Sequence, residues 1–150
     1  MTIALSGRKI AGKLQEQFPG SFVQSDESSL LVKSEHLLAI ATFLKTTPGF
    51  DFDYLTSVTA VDYRDYFELV YHLISIEHNH SLVLKVRCHD RENPTVPSVV
   101  GVWRGADFQE REIYDLMGIK FEGHPNLKRI VLWEGFQGHP LRKEYKGIYK

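Results

Sequence analysis

The side chains of this chain that could do chemistry are 7 histidines, 1 cysteine and 19 carboxylates. His124-Pro125 and His139-Pro140, taken with Cys88-His89 and nearby acids, could on paper form a zinc or hydrolase centre. Their spacing fits neither a helical HExxH nor a paired CxxC arrangement, so each histidine reads better as a local hydrogen-bonding group at a Gly-x-Pro turn. His78-Asn79-His80 has the look of a nuclease motif, but it falls in a turn with nothing around it to bind metal. Cys88 alternates with Leu84 and Val86, the pattern of core packing, and a single cysteine holds neither a disulfide framework nor an iron–sulfur cluster, which needs about four thiolates. There is no glycine-rich phosphate loop and no Gly-x-Ser-x-Gly elbow, and Arg142-Lys143 near Tyr145 is a thin case for nucleic acid. No catalytic, cofactor-binding or metal-binding residue is therefore assigned, and the expectation is of no bound cofactor and no nucleic acid. A stand-alone metal-dependent enzyme is the weakest reading.

What remains is charge without an obvious reaction. Gln109-Glu110-Arg111-Glu112-Ile113-Tyr114-Asp115-Leu116-Met117-Gly118 reads as a helix of about three turns whose apolar patch is Ile113, Leu116 and Met117. Asp107 is placed to cap it, with Glu110 reaching back three residues later, and Gly118 to end it in the left-handed conformation. Arg111 and Asp115 sit one turn apart, where they can pair, but such a pair contributes only a few tenths of a kcal/mol. Glu110, Arg111, Glu112 and Asp115 are thus either a solvated face or anchors for a loop or partner.

The elements before that helix must position it. Ile10, Leu14 and Phe18 mark a first helix with Ser6 as cap and Pro19-Gly20 as stop. Residues 21–23 and 30–33 flank Asp26-Glu27-Ser28-Ser29 as a hairpin would. Ser34 caps a second helix through Leu37, Ala41 and Leu44, ended by Thr47-Pro48-Gly49. Strands follow over residues 50–54, 66–76 and 82–88, with turns at 62–65 and 77–80, and residues 89–97 read as loop. The order helix, two strands, helix, three strands implies an α+β fold, helices on one face of a mainly antiparallel sheet. Residues 1–123 form the body and 124–150 an extended C-terminal arm. Within 150 residues one compact domain is expected.

The arm holds Leu127, Ile130, Val131, Leu132, Trp133, Phe136, Leu141 and Tyr145 but little periodicity. So apolar a segment is no disordered tail, and so aperiodic a one is expected to bury itself, and to order, only against another protein. Six cations oppose two carboxylates from residue 124 onward, a net of +4, which leaves −5 for the first 123 residues. A basic end on an acidic body suits a charged partner. No run approaches the roughly 20 apolar residues of a membrane span, and the start lacks a signal-peptide core. The chain is expected to fold in the cytoplasm and to meet a membrane only indirectly.

From about residue 97 to 145 the chain resembles the 30 kDa subunit, or C subunit, of respiratory complex I, the proton-pumping NADH:quinone oxidoreductase. Trp103, Ala106-Asp107-Phe108, Glu110-Arg111-Glu112, Asp115, Gly118-Ile119, Gly123-His124-Pro125, Leu127-Lys128-Arg129-Ile130 and Gly138-His139-Pro140-Leu141-Arg142-Lys143 carry the resemblance. The chain departs from the family at Asn126 and Glu144, where aspartate is usual, and at Met117, where phenylalanine is. The resemblance implies a non-redox subunit of the peripheral arm, on the cytoplasmic side of the cell membrane. It would dock on the large D subunit, which lines the quinone site, and on neighbouring iron–sulfur subunits. The FMN, iron–sulfur clusters and quinone of such a complex reside on other subunits. The resemblance further implies partner contacts at Glu110, Arg111, Glu112, Asp115, His124, Pro125, Arg129, Trp133, Phe136, His139, Pro140, Leu141, Arg142 and Lys143. Among these, Arg111, Arg129, Arg142 and Lys143 would be polar anchors, and Trp133, Phe136 and Leu141 apolar ones. Membrane-bound hydrogenases and ferredoxin-dependent photosynthetic relatives use a similar subunit. The photosynthetic ones tend to read Gly-Trp-Pro where this chain has Gly138-His139-Pro140.

Overall fold

The computed structural model describes residues 2–146. Its elements are β1 (Ile3–Ala4), α1 (Gly7–Gln17), β2 (Phe22–Ser25), β3 (Ser29–Val32), a 3-10 turn (Ser34–His36), α2 (Leu37–Thr46), β4 (Tyr54–Asp62), β5 (Phe67–Ser75), β6 (His80–Cys88), β7 (Thr95–Pro97), α3 (Ala106–Met117) and β8 (Lys120–Glu122). Six strands make one sheet in the order β2-β3-β6-β5-β4, with β1 paired to β6. The β4-β5, β5-β6 and β2-β3 pairs are antiparallel, while β3 and β1 run parallel to β6. The fold is thus α+β with a mixed, mostly antiparallel sheet, as the element order implies.

Alternation builds the core. Leu82, Leu84, Val86 and Cys88 on β6 and Leu69, Tyr71 and Leu73 on β5 all point to one face. Ile10, Ala11 and Leu14 of α1 and Leu37, Ile40, Ala41 and Leu44 of α2, spaced at helical period, bury against it. Gly7 lets α1 start close to the sheet: a Cβ there would lie 2.0 Å from the Ser29 carbonyl oxygen.

Several local expectations are corrected. Residues 50–53 are not strand, because the Phe50 and Asp51 N–H groups both turn back to the Thr47 carbonyl and the Phe52 N–H to that of Leu44, finishing α2. The strand starts at Tyr54 and continues through the β-branched run to Asp62. Ser6 occupies the cap position of α1 without a side-chain cap bond. Ser34 opens the 3-10 turn, and His36 stands at the N-cap of α2. Within residues 89–97, Thr95–Pro97 pairs in parallel with Lys120–Glu122 as a separate two-stranded sheet, burying Val96 and Phe121. The capping box at α3 does not form: Gly105 is the N-cap, Asp107 lies in the first turn, and Glu110 is buried. Asp107 is displaced from the cap because the 3-10-like turns Trp103–Ala106 and Arg104–Asp107 start the helix two residues early.

Candidate docking surface

Helix α3 is buried on two sides by different material. Ala106, Glu110, Ile113 and Met117 recur at helical spacing and face the body. There the Glu110 carboxylate accepts the Ser98 hydroxyl at 2.6 Å and the Val99 N–H at 2.9 Å. Burial pushes its pKa up, partly offset by those two donors. Gln109 accepts the Val58 N–H of β4 at 2.7 Å. Asp115 lies about 200° around the helix from Ile113, at 3.6 residues per turn. It is nevertheless 0% exposed, because the arm covers it.

One oxygen of Asp115 accepts three consecutive backbone N–H groups, from Ile130, Val131 and Leu132, at 3.1, 2.7 and 2.8 Å. The other accepts Arg129 at 2.6 Å. Burial works to raise the pKa of this carboxyl, but the amide donors and the guanidinium outweigh it and hold it below its ordinary value. Arg129 also donates to the Gly138 carbonyl. Arg111 donates to the carbonyls of Lys128 and Arg129, and it does not pair with Asp115 as helical spacing suggested.

A helix leaves its last four carbonyls without helical partners; here the Gly118 cap serves one and the arm supplies the other three. Gly118 N–H closes on Tyr114, His139 Nδ1 lies 2.9 Å from the Asp115 carbonyl, Leu141 N–H donates to Leu116, and Arg142 Nε to Met117. The Gly138-His139-Pro140-Leu141-Arg142 motif is therefore a cap for α3. Gly118 has φ 75°, and a Cβ on it would meet the His139 ring at 2.6 Å. Beyond it, Lys143 N–H donates to Asp62, whose carboxylate Arg91 grips with two bonds of 2.7 and 3.0 Å. The Arg91 guanidinium holds the Asp62 carboxyl well below the usual range. At the near end, His124 accepts the Asn126 N–H at Nδ1, so its Nε2 carries the proton and reaches the Asp107 carbonyl and carboxylate.

With its polar groups turned inward, the arm shows its apolar ones to solvent. Trp133 is 64% exposed, and Val131, Leu141 and Ile130 are also exposed; Phe136 meets Trp133 edge to face at 4.8 Å. Phe108, also exposed, adds the adjoining surface of α3, with Arg111 over its ring.

The structure thus gathers Arg111, Asp115, Arg129, His139, Leu141 and Arg142 around the C-terminal half of α3, and sets Trp133 and Leu141 outward, with Phe136 half-buried beside Trp133. Glu110 lies apart, in the core. Glu112 and Pro125 are exposed, Pro140 is half-buried, and the Lys143 side chain borders a hollow shared with Arg64, Arg91 and Glu144. Residues 124–146 are already fastened to the body, contrary to the expectation that they order only on a partner; residues 147–150 lie outside the described part. Sequence reasoning missed Asp62, Arg91, Ser98 and Gln109. Asp62 was legible only as a turn residue, and its partners are distant in the chain. His78 is not isolated either: its Nε2 lies 2.7 Å from Asp51, and Asp51, Glu77 and His78 bring ligand-type atoms within 4.8 Å of one another. The Asp51 carboxylate is already taken there by His78 and the Gly49 N–H.

Residues 30–150 match the family described as "Respiratory-chain NADH dehydrogenase, 30 Kd subunit". The NADH-quinone oxidoreductase C subunit of Moorella thermoacetica is 46% identical over 138 residues, covering 89% of this chain and 91% of the relative. The C subunit of the same enzyme from Roseiflexus sp. strain RS-1 is 40% identical over 149 residues, 95% of this chain and 85% of the relative. Among solved structures, a chain of the membrane-bound sulfane sulfur reductase, an archaeal respiratory membrane complex, superposes with TM-score 0.74 at 25% identity, covering 95% of this chain and 86% of that one. These matches make the chain a member of the family of 30 kDa subunits of respiratory-chain NADH dehydrogenase.

Proposed function

We propose that this chain, a subunit of the peripheral arm of NADH:quinone oxidoreductase, is itself non-redox and works by holding its neighbours in place. Its partners are the large quinone-site subunit and adjoining iron–sulfur subunits, on the cytoplasmic side of the membrane, and FMN, clusters and quinone belong to other subunits. No helix among the described residues is long and apolar enough to cross a membrane, which accords with a peripheral attachment. The observation that carries the reading is the row Ile130, Val131, Trp133 and Leu141, apolar side chains left in water by a segment whose polar groups turn onto its own body. A monomeric chain gains nothing from that arrangement, whereas a central aromatic anchor is what an interface uses.

The likeness to a sulfane sulfur reductase chain favours one variant: the subunit serves in complexes with different terminal acceptors, so the acceptor is set elsewhere. Replacement of Trp133 by alanine tests the docking. The exposed site should leave stability within about 0.5 kcal/mol, while loss of an anchor of about 2 kcal/mol should weaken association roughly 30-fold. Co-purification of the large subunits from native membranes should fall accordingly; undiminished recovery with Trp133→Ala would sink the proposal.

A further inference from the structure

The Asp115 cluster has a geometry that capping alone does not require. Three successive N–H groups converge on a single carboxylate oxygen, the arrangement of an anion-holding backbone nest, with the anion supplied by the chain itself. The carbonyls just before that nest, of Lys128 and Arg129, are taken from the other side by Arg111. Arg129 spans Asp115 and the Gly138 carbonyl, tying the start of the loop to its return. Five backbone groups of 128–132, the carbonyls of Lys128 and Arg129 and the N–H groups of Ile130, Val131 and Leu132, are thus bonded inward to side chains rather than in a ladder, and Ile130, Val131 and Trp133 stand outward.

A loop without regular structure would ordinarily lose its freedom on binding, and that loss weakens association. We infer that Asp115, Arg111 and Arg129 are positioning residues that hold the 128–133 loop in its partner-competent shape before contact, and that the two arginines do not themselves touch the partner. This rests on the docking reading above and revises the expectation that Arg111 and Arg129 are interfacial anchors.

The test uses the full chain and the large quinone-site subunit, comparing the wild type with Asp115→Asn, Arg111→Ala and Trp133→Ala. Amide exchange is read in the free chain, and association rate and affinity are read over a salt series. In the wild type the amides of 130–132 should be protected. Asp115→Asn and Arg111→Ala should speed their exchange at least about tenfold, with β5 and β6 unaffected. Both should slow association about tenfold or more, since fewer free chains carry the competent loop. Arg111→Ala should leave the salt dependence of binding unchanged, because a guanidinium turned onto its own backbone neutralises nothing across the interface. Should Asp115→Asn not fold, Arg111→Ala decides alone, since it leaves the carboxylate and its amide donors in place. Unprotected amides in the wild type, wild-type affinity in these variants, or a flattened salt dependence in Arg111→Ala would each overturn the inference. Unchanged binding by Trp133→Ala would instead strike the docking reading.

Discussion

Two carboxylates five residues apart on α3 behave oppositely because their surroundings differ. Glu110 is buried with one hydroxyl and one amide as donors and, among the described residues, no cation bonded to it, so burial dominates and its pKa is raised. Asp115 is equally buried, but amides and Arg129 favour its charged form, and its pKa is lowered. A raised pKa in the folded state means that Glu110 contributes stability fully below its unfolded pKa, and that this is lost as pH rises through the folded value. For Asp115 and Asp62 the sign reverses: their contribution is present above the unfolded pKa and is lost as pH falls through the folded one. Glu110→Gln should therefore flatten the loss of stability above about pH 4.5 and leave the acid limb intact, as read from urea midpoints across a pH series. An unchanged slope above that pH would assign the titration to another group.

Seen by elements, the unit of construction is α3 together with its arm. Its last carbonyls are capped by His139, Leu141 and Arg142, and the Arg129 and Arg142 guanidinium groups also lie at the favourable end of the helix dipole. Gly118 is where the two must pass closely. Placing alanine there imposes about 1–2 kcal/mol for the left-handed backbone. It also drives a methyl into the His139 ring, with the Arg142 guanidinium at 2.9 Å. The sum should exceed the backbone cost, and at about 2–4 °C per kcal/mol the thermal midpoint of Gly118→Ala should fall by at least about 2 °C. A midpoint within error of wild type would mean that the arm gives way freely and does not hold the helix end.

The whole molecule is a sheet-and-helix body with one charged helix clamped between it and a basic, apolar-faced strap. On the non-redox role proposed above, electrons pass through other subunits; this sequence holds one cysteine, buried, and no dinucleotide fingerprint. The purified chain should accordingly neither oxidise NADH nor reduce a quinone, as followed by absorbance of either substrate. Measurable turnover by the metal-free protein would refute the non-redox role. The −5 body and +4 end also set the long-range field, which governs encounter more than final affinity.

What the sequence determined by itself follows from short-range physics. Helical spacing of Ile10 and Leu14 or of Leu37, Ala41 and Leu44, alternation along residues 82–88, and Gly118 as a helix stop depend only on neighbours a few positions away, so the order from α1 to β6 and the fold class were legible, while the short strands β1, β7 and β8, defined by distant partners, were not. The family, too, was legible, because its motifs lie in register over one stretch of chain. Only the tertiary structure decided what the motif charges are for. Local spacing paired Arg111 with Asp115 and Glu110 with the helix start, since a sequence shows only i, i+3 and i+4 neighbours. The chain instead gave Asp115 to amides fifteen to seventeen residues away, Glu110 to Ser98, and Asp62 to Arg91 and Lys143. Those partners win because a buried carboxylate must collect every donor within reach, and which donors are within reach is set by how the arm folds back over α3.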